Sequence, residues 1–66
     1  MKNNLKVERA IKDITQEELA KQIGVTRQAI NSIELGKYVP STILALKLSR
    51  YFDKSVNEIF FLEKSD

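Results

Sequence analysis

The sequence predicts an all-α fold of five short helices, and three observations carry that prediction. Apolar residues recur at helical spacing, as in Val7, Ala10, Ile11 and Ile14 and again in Leu19, Ala20 and Ile23. Capping residues mark four helix starts, at Thr15, Thr26, Ser41 and Ser55. Chain breakers are few, and the densest punctuation is the stretch "LGKYVPS" between Glu34 and Thr42. At 66 residues the chain is expected to form one domain, residues 1–66.

The first helix is the least determined. The stripe from Val7 to Ile14 competes with a face through Leu5 and Arg9, and periodicity does not choose between them. The second helix is sharply signalled. "ITQEEL" sets Thr15 as N-cap with Glu18 three residues on, a reciprocal capping box, while Ile14 and Leu19 form a hydrophobic staple across the cap. "VTRQAI" repeats the staple with Val25, Thr26 and Ile30, and Gly24 ends the helix before it. Two such starts eleven residues apart specify two short helices joined by a tight turn, over residues 15–35. Ser41 then caps a helix reaching about Phe52, with Pro40 ahead of it, where a helix interior would not tolerate it. Ser55 with Glu58 starts a short last helix over "VNEIF". The ends "MKNNL" and "FFLEK" have the residues to pair as a short two-stranded antiparallel ribbon.

Composition removes most chemistry. There is no cysteine and no histidine, so disulfides, the common zinc sites and Ser-His-Asp or Cys-His arrangements are all excluded. The two glycines cannot form a phosphate-binding loop. The carboxylates fall mostly at helix starts, where capping explains them. The expectation is a protein that is not an enzyme, with no catalytic residues, no cofactor and no metal. No apolar run approaches a membrane span and no signal-peptide core follows "MKNNLK", so a soluble, cytoplasmic protein is expected. A net charge of +2 and a pI near 9.0 permit nucleic-acid binding without requiring it. Domains this small are marginal in stability, which leaves close helix packing or a partner subunit as the stabilising device.

The third helix carries the feature that composition does not explain. At about 100° per residue, Ala29, Ile30 and Ile33 gather on one side, and Arg27, Gln28, Asn31 and Ser32 on the other. An ordinary solvated face favours Glu and Lys, as the second helix has with Glu17, Glu18 and Lys21. Asn and Ser are mediocre helix formers, yet amides pair with adenine N6 and N7, and arginine with guanine O6 and N7. The arc therefore fits either a base reader or a plain polar surface.

"TQEELAKQIGVTRQAINSIELGKYVPS" resembles the Xre or lambda-repressor-like helix-turn-helix regulators, most of all their short single-domain members of the cytolysin-repressor type. The resemblance runs from Leu5 to Phe60. It rests on Thr-Gln, Glu-Leu-Ala, Ile-Gly-Val-Thr, Ile-x-x-Ile-Glu, Gly-Lys-Tyr and Pro-Ser. It implies a five-helix bundle in which the second and third helices form the DNA-binding unit. Gln16 would bond a phosphate and support Gln28. Gln28 and Asn31 would meet base edges, and Arg27 a base or a phosphate. Ser32 sits at a base-facing position but is short. Thr26 is chiefly the N-cap, with its backbone N–H or methyl near DNA. Lys37 and Tyr38 would approach the sugar-phosphate backbone, Tyr38 having the alternative of lying over the core. The family pairs the Glu34 position with an arginine of the first helix, here Arg9, which implies a structural ion pair. Three departures stand out: Glu8 where many relatives are apolar, Leu35 in place of a polar residue, and the low net charge.

The resemblance further implies a homodimer on double-stranded DNA, with two recognition helices in successive major grooves of a pseudopalindromic operator. Tyr51, Val56, Ile59, Phe60, Phe61 and Leu62 supply more apolar surface than a small core should need and are the expected interface. A repressor is the expected role, with a protein-interaction module such as an antitoxin or accessory subunit as the alternative.

Overall fold

The computed structural model describes residues 1–66. In chain order it contains β1 (Lys2–Asn3), α1 (Leu5–Lys12), α2 (Gln16–Ile23), α3 (Arg27–Glu34), α4 (Thr42–Phe52), α5 (Val56–Ile59) and β2 (Phe60–Phe61). The two strands pair antiparallel, Lys2 opposite Phe61 and Asn3 opposite Phe60, so the chain ends are tied together. The fold is thus the expected five-helix bundle with a terminal ribbon.

Local chemistry starts the helices where the caps stand. Thr15 Oγ1 accepts from the Glu18 N–H at 3.0 Å, and Glu18 Oε1 accepts in return from the Thr15 N–H at 3.1 Å. Thr26 Oγ1 accepts from the Ala29 N–H at 3.1 Å, and Ser41 Oγ from the Leu44 N–H at 3.2 Å. At Ser55, the N–H donates to Glu58 Oε1 at 3.1 Å. These bonds satisfy N-terminal donors that the helices cannot pair internally. Gly24 ends α2 at φ +85°, a left-handed conformation that costs glycine nothing. Asp13 and Asp53 end α1 and α4 in the same region, at φ 55° and 54°, where short polar side chains are tolerated better than branched ones.

A single core joins every helix. Leu5, Leu19, Ile30, Ile33, Leu48 and Ile59 are its fully buried side chains, with Ala20, Ile23, Leu44, Phe52 and Phe60 around them. The core settles the orientation of α1. Leu5 and Glu8 face inward, while Val7 and Ile11 are 54% and 68% exposed. Of the apolar stripe beginning at Val7, Val7, Ala10 and Ile11 therefore lie on an outer face, and Ile14, beyond the end of α1, packs against the core. Lys54 Nζ, from the turn between α4 and α5, lies 3.0 Å from Glu8 Oε2.

Two residues expected at a subunit interface are corrected by this packing. Ile59 and Phe60 lie in the monomer's own core and have almost no surface to offer a partner. Tyr51 and Val56 pack half-buried against the same core. Phe61 and Leu62 are exposed.

Candidate nucleic-acid interface

Helices α2 and α3 pack against each other across the turn at Gly24 and Val25. The apolar side of α3 is locked, with Ile30 and Ile33 essentially inaccessible. That anchoring presents Arg27, Gln28 and Asn31 outward, all three exposed, while Ser32 is half-buried. The far end of α3 is held as well. Asn3 Nδ2 donates to the Ile33 carbonyl at 2.8 Å, and Asn3 Oδ1 accepts from the Leu5 N–H at 3.1 Å. Asn3 is a positioning residue that sequence reasoning missed. Its partner lies thirty residues away, and no local pattern signals such a contact.

Beyond α3 the chain turns at Gly36, at φ +75°. The Lys37 and Tyr38 N–H groups both donate to the Ser32 carbonyl, at 3.0 and 3.3 Å. This fold-back sets the loop beside the outer face of the helix. Thr26, Gln28, Ala29, Ser32, Lys37 and Tyr38 together line one shallow concavity of about 430 Å³. Tyr38 is half exposed at its rim and does not lie over the core.

Glu34 is kept off this surface. Arg9 Nε and Nη2 donate to Glu34 Oε2 and Oε1 at 2.6 and 3.0 Å, a bidentate pair. Arg9 Nη1 also donates to the Ile14 carbonyl at 3.0 Å. Hydrogen bonding to Glu34 raises the already high pKa of Arg9. Burial of the carboxylate behind arginine removes the one negative charge of α3 from the outward face.

Gln16 supports Asn31 in place of Gln28. Its Nε2 donates to Asn31 Oδ1 at 3.1 Å and to Glu34 Oε1 at 3.2 Å, with no bond to Gln28. Gln28 therefore stands on the surface without this support. No group of three or more carboxylate, His or Cys side chains is placed to hold a metal ion, and no helix is long and apolar enough to cross a membrane.

Two helices held by caps, staples and a glycine turn, the second presenting an uncharged polar arc with one arginine, define a helix-turn-helix domain. The helix-turn-helix family model matches residues 5–59, and the chain belongs to this Xre or lambda-repressor-like family. An uncharacterized HTH-type transcriptional regulator of Methanocaldococcus jannaschii is 48% identical over 66 residues, covering all of both chains. The uncharacterized HTH-type transcriptional regulator YgzD of Bacillus subtilis is 44% identical, again covering all of both chains. One from Archaeoglobus fulgidus is 42% identical over all of this chain and 93% of its own.

Proposed function

We propose that the chain is a sequence-specific DNA-binding transcriptional regulator that lays α3 in the major groove. The observation that carries this reading is the outward face of α3. Arg27, Gln28 and Asn31 are solvent-facing on a helix whose other side is immobilised, and the neighbouring carboxylate is neutralised. Gln28 and Asn31 read base edges, Arg27 a base or a phosphate, and Lys37 and Tyr38 hold the backbone from the adjoining loop. Thr26 and Ser32 lie at the edge of the same concavity, and Ser32 is the weakest reader because it is short and half-buried.

The regulator acts as a homodimer on a pseudopalindrome, since one eight-residue recognition helix spans too few bases to specify a site. Phe61 and Leu62 remain from the expected interface, with Val56 at its edge. Val39, Ile43 and Leu46 add exposed apolar surface on and beside α4, and Val39, Leu46 and Val56 line one apolar groove. Repression by occlusion is the simplest output of such a dimer, acting in the cytoplasm.

Binding to duplex DNA at increasing salt tests the reading. With Lys37 neutralising a phosphate in each of two protomers, and Arg27 another where it takes the backbone, affinity should fall with a log–log slope of about −2 to −4. Lys37→Ala should weaken all duplexes about equally, and Gln28→Ala should relax base preference. Affinity that is flat with salt would favour the alternative, a protein-interaction module. The exposed Val7 and Ile11 on α1 are the observation on that side.

A further inference from the structure

The polar contacts under α3 form a chain with a direction. Arg9 can only donate and Glu34, as a carboxylate, can only accept. Gln16 must therefore turn its amide nitrogen, not its oxygen, toward Glu34, and Nε2 lies 3.2 Å from Oε1. The same nitrogen has a second hydrogen, which goes to Asn31 Oδ1 at 3.1 Å. The opposite orientation of Asn31 would set N–H against N–H. The buried charge of Glu34, whose side chain is 6% exposed, thus dictates which end of an exposed amide faces α2.

We propose that Glu34 and Gln16 are specificity-determining positioning residues that lock the polarity of Asn31 for base reading. This rests on the DNA-binding reading above and deepens it. An amide free to turn over offers its donor and acceptor in either order and tolerates more than one base. Asn31 held by Gln16 keeps one oxygen lone pair and its N–H groups in fixed order, with the nitrogen on the side away from α2. The edge left over, one acceptor beside one donor, complements adenine N6 and N7. The Arg9–Glu34 pair accordingly does more than hold α1 to α3. Through Gln16 it transmits a direction to the surface.

The test compares base preference with folding. Selection from randomised duplexes with the parent and with Asn31→Ala identifies the position Asn31 reads, as the one whose preference the alanine erases. Binding of the four single-base variants at that position is then measured for the parent, Glu34→Gln and Gln16→Met. Glu34→Gln keeps the shape and an acceptor for Arg9 but no longer dictates the direction. Gln16→Met leaves the Arg9–Glu34 pair intact, so it serves where Glu34→Gln is poorly folded.

The parent should prefer one base there by roughly 5- to 150-fold, the range of a good bidentate contact. Both variants should lose most of that ratio, while positions that respond to Gln28→Ala change less than about twofold. A merely structural role would lower affinity for all four duplexes alike, and a ratio within twofold of the parent in Gln16→Met overturns the proposal. If the parent itself shows no base preference anywhere, the DNA-reading function falls and the proposal with it.

Discussion

Replacing Arg9 with alanine should remove a large share of the domain's stability, and the reason is Glu34, not the lost arginine. Arg9 makes three hydrogen bonds, two to Glu34 and one to the Ile14 carbonyl. Its side chain is 14% exposed and that of Glu34 6%, so water cannot readily replace the guanidinium. Removing one partner of such a pair costs about 3–5 kcal/mol, because an uncompensated charge stays buried. A chain of this length has roughly 3–10 kcal/mol in total, at 0.05–0.15 kcal/mol per residue. Arg9→Ala therefore loses between a third and all of its stability. Arg9→Met combined with Glu34→Leu removes both charges and should fall within about 1 kcal/mol of the parent, or above it. Urea unfolding followed by helical circular dichroism measures these variants and the singles Arg9→Met and Glu34→Leu, which close the double-mutant cycle and isolate the coupling. A loss below about 1 kcal/mol in Arg9→Ala, or a double variant as unstable as the sum of the singles, would refute the reasoning.

The same logic applies to the second buried carboxylate with the roles less evenly matched. Lys54→Ala should destabilise by about 1–3 kcal/mol by leaving Glu8 unpaired, whereas Glu8→Leu should be neutral or stabilising, both read from denaturant midpoints. Thr26→Ala removes the acceptor for the Ala29 N–H and should cost about 1 kcal/mol, with α3 fraying first in amide hydrogen exchange. At the start of α5, the Ser55 N–H and then its hydroxyl hold the Glu58 carboxyl below its usual range. A lowered folded pKa gives stability that is present above the unfolded value and lost as pH falls through the folded one. The acid limb of the stability curve should therefore flatten in Glu58→Gln, which keeps a capping acceptor without the titration, as an acid titration followed by circular dichroism will show.

Much of the fold was legible because its signals are local. Thr15, Thr26, Ser41 and Ser55 announce helix starts within four residues of themselves, and Gly24 needs only its own backbone to mark a stop. The polar arc of α3 follows from the same short-range geometry. What could not be read depends on partners distant in sequence. Periodicity does not show the inward face of α1, because Glu8 and Arg9 turn inward only through Lys54 and Glu34, 46 and 25 residues away. An apolar count at the C-terminus cannot separate core from interface, and Ile59 and Phe60 belong to the core. The resemblance implies that Gln16 bonds a phosphate and supports Gln28, but the carboxylate of Glu34 and the oxygen of Asn31 take its amide nitrogen, so the support goes to Asn31.

The central claim, that α3 reads DNA sequence from a dimer, is tested most directly by selecting bound fragments from random duplex DNA with the parent protein. The account predicts enrichment of a pseudopalindrome whose half-sites lie about one helical turn, roughly 34 Å, apart. Its base preferences should vanish at separate positions in Gln28→Ala and Asn31→Ala. Recovery of unenriched random sequence, or of a motif that both alanine variants select unchanged, would contradict it.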